Sequence, residues 1–191
     1  MRGKWTLSTK DIVTLVVICM VLGVTGVYWS YIYFALVNIP TWGGIVGSMI
    51  TWYFFIPGCL AAYLIRKPGA AFVGSILPSF AGVLFGHPLG LADFGWAIMS
   101  AVFCEAVFAL YRYKNWGLVP LLLSGELQAF QYLWGVYYFG QFAMGINAWL
   151  WPFLAGFLTA WVAGLLAYWI GNAIMRTGLY KFPEPAKPGS P

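Results

Sequence analysis

Charge is scarce in this chain. Asp, Glu, Lys and Arg make up 8% of its 191 residues, against about 25% in a soluble domain. Histidine occurs once and cysteine three times. One histidine cannot build a multi-histidine metal site. Cys19, Cys59 and Cys104 lie inside apolar runs without metal-ligand spacing. They read as small core hydrophobes, neither ligands nor a disulfide framework. No phosphate-binding loop is present, which excludes ATP hydrolysis by that route. Ser124-Gly125-Glu126 lacks the glycine pattern around a serine nucleophile. No catalytic residue, metal or cofactor is expected.

What fills the chain is apolar. Hydrophobic residues make up 62% and the mean hydropathy is +0.81, the composition of an integral membrane protein. The pI of about 9.2 could suggest a nucleic-acid partner. The basic residues, however, stand singly or in pairs between apolar runs, as membrane anchors do. The lipid bilayer is the expected partner, and nucleic acid is not.

Six apolar runs cover residues 12–37, 42–65, 69–85, 91–110, 117–139 and 149–175. Ser8 and Asp11 form a capping-box pattern before the first. That run is too long for a signal peptide's apolar core, and no small-x-small cleavage site follows it. Arg2, Lys4 and Lys10 precede it. Arg66 and Lys67 separate the second and third runs, Arg112 and Lys114 the fourth and fifth, and Arg176, Lys181 and Lys187 follow the sixth. All ten cations therefore fall on one side of a six-span chain. The positive-inside rule makes that side cytoplasmic. The expectation is an all-α, polytopic six-helix bundle with both termini inside. Residues 1–11 form a cytoplasmic segment, 12–176 the membrane domain, and 177–191 a proline-rich cytoplasmic tail expected to be disordered. The outer loops are 38–41, 86–90 and 140–148.

The third run is unusually small: Gly69, Ala70, Ala71, Gly74, Ser75, Ser79, Ala81 and Gly82. Small residues let helix backbones approach closely in lipid, so this helix belongs among others. Pro78 is expected to kink it and leave room beside it. In the sixth run Ala155, Thr159, Ala163 and Ala167 recur every four residues, as do Gly156, Ala160 and Gly164. That smooth stripe serves packing within the bundle or a sliding surface for a partner.

Carboxylates within membrane helices are expensive, about 2.5–3.5 kcal/mol on insertion scales, and point to function. Glu105 lies seven residues before Arg112 and reads as a structural partner of the inner surface or as a functional group. Glu126 lies deeper and has no obvious structural partner. Asp93, near the outer end of the fourth run, reads as solvated. Trp96 and Ser100 share a stripe with Asp93. Ser124, Gln128 and Gln131 share a face of the fifth helix, and Glu126 points elsewhere. Aromatic walls stack a flat ring and amides or carboxylates hold its edges. Tyr28, Trp29, Tyr31 and Tyr33 read as an interfacial belt or as such a wall. The candidate ligand-binding residues are Glu126, Trp96, Ser100, Gln128, Gln131, His87 and Ser75.

Arg66-Lys67-Pro68-Gly69-Ala70-Ala71, followed by a helix and by Gly86-x-Pro88-x-Gly90 and then Glu105-Ala106-Val107-Phe108, resembles the YkoE family. These are substrate-binding S components of energy-coupling-factor (ECF) vitamin transporters. The resemblance implies a subunit that captures thiamine, hydroxymethylpyrimidine or a related heterocycle. It also implies a transmembrane coupling subunit and two ATPase subunits as partners. Thiamine-type members carry carboxylates at the positions of Ser75 and Gly82, Asn at His87 and Gln at Ser100. The resemblance therefore carries the scaffold and leaves the solute open. A self-sufficient small-solute carrier, or a membrane scaffold, remains the alternative.

The charge distribution predicts the labelling pattern of introduced cysteines. Replacements at Lys4 and Ser190 should resist an impermeant thiol reagent in intact cells, and one at Leu89 should react. Labelling at either terminus would overturn the expected orientation.

Overall fold

The protein is described by a computed structural model covering residues 7–178. The expected cytoplasmic tail falls almost wholly outside that range, as do residues 1–6. The described residues form helices and turns and no strand. Helix α1 runs Thr9–Val37 behind the expected capping box: the Asp11 N–H donates to Ser8 Oγ at 3.2 Å and the Ser8 N–H donates to the Asp11 carboxylate at 2.8 Å.

The second run is less regular than a single kinked helix. It consists of α2 (Gly43–Met49), a 3-10 segment (Thr51–Phe55) and α3 (Ile56–Ile65). The irregularity precedes Pro57. That proline lies in the first turn of α3, where its missing N–H costs nothing. Helices α4 (Ala70–Leu84) and α5 (Asp93–Leu110) follow, α5 behind a short 3-10 turn (Gly90–Ala92). The fifth run is two helices, α6 (Leu118–Gln128) and α7 (Gln131–Tyr138). They meet at tightened i→i+3 bonds, Ala129 N–H to the Glu126 carbonyl and Phe130 N–H to the Leu127 carbonyl, both 3.1 Å. Helix α8 (Ile146–Arg176) starts earlier than expected and continues through Pro152.

Four spans are long and apolar enough to cross a membrane: Asp11–Val37, Gly43–Ile65, Gly90–Leu110 and Ile146–Arg176. Helix α4 has 15 residues, roughly 22 Å of rise, less than the ~30 Å hydrocarbon core. It packs against α1, α3 and α5, so much of it faces protein. Contact is close because the facing residues are small. A Cβ on Gly74 would lie 2.2 Å from that of Ala61 on α3. One on Gly23 of α1 would lie 2.6 Å from the Pro78 carbonyl. Pro78 cannot donate to the Gly74 carbonyl, which the Cys19 thiol reaches instead at 3.7 Å. The α8 stripe is used inside the bundle. A Cβ on Gly164 would meet the Leu121 carbonyl of α6 at 2.2 Å, and Ala160, Ala163 and Ala167 are buried.

The motif at residues 66–71 is a clasp. Pro68 and Gly69 turn the chain into α4, with Gly69 at φ +82°, a conformation that favours glycine. The Glu105 carboxylate of α5 accepts the Gly69 N–H at 2.7 Å and the Phe72 N–H at 3.0 Å, capping α4 where backbone donors have no partner in the helix. Lys67 meets Asp11 of α1 at 2.7 Å. Burial and the Glu105 carboxylate together raise the Tyr113 phenol to about 12. Of the two readings of Glu105, the structural one accounts for its position, through backbone N–H groups rather than Arg112.

Glu105→Ala leaves two N–H groups without their acceptor. Hydrogen bonds to a charged group are worth about 1.5–3 kcal/mol, so the variant should lose stability of that order, read as a lowered thermal midpoint in detergent. An unchanged midpoint would show that the clasp is dispensable.

Candidate binding site

A cavity of about 130 Å³ lies in the half of the bundle away from the clasp. Helices α1, α4, α5, α7 and α8 line it, α3 adds Pro57, and neither α2 nor α6 reaches it. Helix α1 brings Gly26, Ser30, Tyr33 and Phe34, and the 3-10 segment brings Thr51, Tyr53, Phe54 and Phe55. Helix α4 brings Ser75, Pro78, Ser79 and Gly82, and α5 brings Asp93, Trp96, Ala97 and Ser100. Ala129, Gln131, Tyr132, Phe139 and Phe153 are among the other lining residues.

Of the residues expected to bind ligand, Trp96, Ser100, Gln131, His87 and Ser75 line this cavity. Glu126 and Gln128 do not line it. The fifth run is not one continuous helix, so faces extrapolated along it do not hold across residues 129–130. Gln128 is fully buried behind the wall. Its Oε1 accepts from Ser100 Oγ at 2.6 Å, and its Nε2 donates to the Ser124 carbonyl at 3.1 Å and to Cys59 Sγ at 3.3 Å. Cys104 Sγ lies 3.0 Å from Ser124 Oγ. This network fixes Ser100 with its proton committed, so its oxygen offers the cavity an acceptor. Glu126 is half-buried beside the Trp161 backbone of α8, with Oε2 buried and without a hydrogen-bond partner.

Trp96 is held by a reciprocal fit. Its Nε1 lies 3.1 Å from where a Gly135 Cβ would stand, and Trp134 Nε1 lies 2.5 Å from the equivalent point on Gly95. Each indole thus fills a space left by a glycine on the opposite helix. Tyr138 meets the Trp96 ring edge-on, with centroids 5.2 Å apart. The α1 aromatic cluster divides: Tyr33 lines the cavity, while Tyr28 and Tyr31 are exposed. Trp29 stacks on Tyr53, with centroids 4.9 Å apart, and donates from Nε1 to the Ile50 carbonyl at 2.9 Å. It supports the wall from behind.

The turn after α4 closes one side. His87 Nε2 lies 2.7 Å from Ser30 Oγ and 3.7 Å from Asp93 Oδ1, and His87 Nδ1 accepts the Leu89 N–H at 3.3 Å. Asp93, read from sequence as solvated, lines the cavity in the first turn of α5. Among the described lining residues it is the only carboxylate, and none of them is Lys or Arg. Sequence reasoning also missed Ser30, Thr51, Tyr53 and Tyr132. The alternation of polar and aromatic residues over 28–34 was the available signal, and it offered no choice between lipid and cavity.

Residues 10–131 match the family described as ABC-type cobalt transport system, permease component. The chain belongs to that family. It is 36% identical over 118 residues to a Bacillus subtilis (strain 168) protein provisionally named HMP/thiamine permease protein YkoE. That match covers 62% of this chain and 58% of the relative's length. A solved structure titled as an S-component of ECF transporter superposes with a TM-score of 0.85 at 28% identity, covering 91% of this chain and 88% of that one. The chain is accordingly a multi-pass protein of the cell membrane with the helical fold of a transporter S component.

The hydrogen bonds behind the cavity wall lead to a stability difference. Gln128→Leu removes the acceptor of Ser100 and the donor to Cys59, leaving buried polar atoms without partners. Such groups cost about 1–3 kcal/mol. The thermal midpoint of the variant should fall accordingly, and a midpoint at or above wild type would show that the network contributes no stability.

Proposed function

We propose that this protein is the substrate-capturing subunit of an ECF-type transporter and that its solute is a single uncharged or cationic heteroaromatic ring. The observation that carries the reading is the cavity: aromatic walls, neutral hydroxyl and amide groups, and, among the described lining residues, one carboxylate with no opposing cation. Aromatic faces stack a flat ring, and a few placed polar groups fix its edges. Asp93 takes an exocyclic amine or ring N–H, and Ser100 Oγ and Gln131 take the remaining polar edges. A volume of about 130 Å³ is close to the ~150 Å³ engineered cavity that holds benzene. It suits one ring better than two linked rings, and so the hydroxymethylpyrimidine half better than the whole of thiamine. The family description names cobalt. One imidazole and one carboxylate are a poorer donor set for that ion than for an organic ring.

The names of the relative and of the solved S component support the assignment. In this reading the chain binds and reorients, and a transmembrane coupling subunit with two ATPase subunits supplies the energy. Both termini are cytoplasmic. Six crossings are made by α1, by α2 to α3, by α4, by α5, by α6 to α7, and by α8, and residues 1–11 and 177–191 flank them. The cavity opens outward beside residues 86–90. Glu126 serves outside the binding site.

Calorimetric titration tests the reading. Hydroxymethylpyrimidine should bind more tightly than thiamine, and its phosphate ester more weakly than either, because the lining offers an anion only a carboxylate. Asp93→Asn should weaken binding by about 1.5–3 kcal/mol, the range for a hydrogen bond to a charged group, or roughly tenfold to over a hundredfold. Glu126→Gln should leave affinity unchanged. Equal affinity in the wild type and Asp93→Asn would remove Asp93 from the site. Absence of binding by all three compounds would discard the solute class.

A further inference from the structure

We propose that His87 is a positioning residue at the cavity mouth, held as the neutral Nε2–H tautomer, and that its protonation and the binding of ligand exclude one another. The proposal rests on the ligand class given above. Its first part stands on hydrogen-bond directions alone. Ser30 Oγ lies 2.8 Å from the Gly26 carbonyl, which can only accept, so the hydroxyl proton is committed there. Ser30 Oγ must therefore accept from His87 Nε2 at 2.7 Å, and Nε2 carries hydrogen. The Leu89 N–H points at Nδ1, which must therefore be bare. Both ring nitrogens are assigned, and the ring is neutral.

The surroundings make a cationic ring disruptive. A proton on Nδ1 would face the Leu89 N–H across 3.3 Å, donor against donor, and open the turn. Helix α4 brings Gly82 beside the ring, and its absent side chain leaves the imidazole room to pack. Helix α1 brings Ser30, and the Tyr31 hydroxyl holds the Gly86 carbonyl of the same turn at 3.2 Å. Among the described residues the one charged group facing the ring is Asp93 of α5, 3.7 Å from Nε2. A cationic imidazole would pair with it and withdraw the carboxylate that the cavity offers a ligand amine. Burial holds the imidazole below its ordinary value, against the opposing pull of Asp93. The folded protein therefore binds fewer protons at His87 than the unfolded chain. Stability contributed by the neutral ring is present at higher pH and declines as pH falls below the ordinary histidine value of about 6.5.

Because the chain has a single histidine, its imidazole nitrogen resonances are unambiguous. At pH 7.5 they should report the Nε2-protonated neutral form. An Nδ1-protonated or cationic ring would overturn the assignment. Calorimetric titrations with hydroxymethylpyrimidine between pH 7.5 and 5.0 test the coupling, comparing wild type with His87→Gln. The glutamine amide keeps an N–H donor near Ser30 and cannot be protonated. The ligand's own titration cancels in the ratio of the two dissociation constants. That ratio, wild type over variant, should rise on acidification, and a constant ratio would overturn the exclusion. The thermal midpoint without ligand provides a reading that survives failure of the solute class. It should fall more steeply with acid in the wild type than in His87→Gln, and parallel curves would overturn the stabilising role of the neutral ring. Binding with a flat ratio leaves the solute class intact. Absence of binding discards that class, and the resonances and midpoints still decide the role of His87.

Discussion

The structure depends on the capping of α4 by Glu105. A helix of 15 residues is too short to reach across the hydrocarbon unaided, and its first backbone donors have no partner of their own. A carboxylate from α5 supplies acceptors for two of them, while Lys67, just before the turn, is tied to α1 through Asp11. Three helices are thereby brought to register at one end. From that end α4 runs between α1, α3 and α5 and carries Ser75, Pro78, Ser79 and Gly82 into the cavity wall. The same lack of bulk that permits close packing also leaves the space in which a ring can lie.

Polar groups within the bundle divide into two kinds. Ser124, Gln128, Cys59 and Cys104 are fully buried and bond chiefly to one another, with Gln128 also taking the Ser100 proton. In lipid such closure matters, since no water is available to complete an open network. The groups that reach the cavity retain capacity toward a ligand. Ser100 belongs to both sets, passing its proton to the wall and presenting its oxygen to the interior.

Much of this was legible in the residues. Helical spacing brought Trp96 and Ser100 to one face, the small third run announced a buried helix, and the single-sided cations suggested where the chain turns. The failures have physical causes. Helix α1 is apolar on every side, because lipid and protein interior both accept such residues. Periodicity therefore carries no direction there, and Ser30 and Tyr33 went unassigned. Residues 118–138 look like one helix because no proline or glycine marks the tightening at 129–130, so Gln128 and Gln131 were grouped together although the structure separates them. Glu105 was weighed as a partner for a nearby cation. Its actual partners are backbone N–H groups, which have no side-chain signature to read. Asp93 was taken for a surface carboxylate because the turn that folds His87 over it involves Ser30, 57 positions away in the chain from the histidine.

The interlocked indoles of α5 and α7 have a mechanical meaning. Trp96 bears on the backbone of α7 at Gly135, and Trp134 bears on that of α5 at Gly95, with no intervening side chain to absorb a displacement. Helix α5 is braced along its length by α4 and α6. Helix α7 is eight residues long and joins α6 through two i→i+3 bonds. The compliance of the pair is therefore concentrated at residues 129–130. A load applied to the Trp96 ring from the cavity is carried as torque on α7, turning the short helix about that joint while the longer one stands.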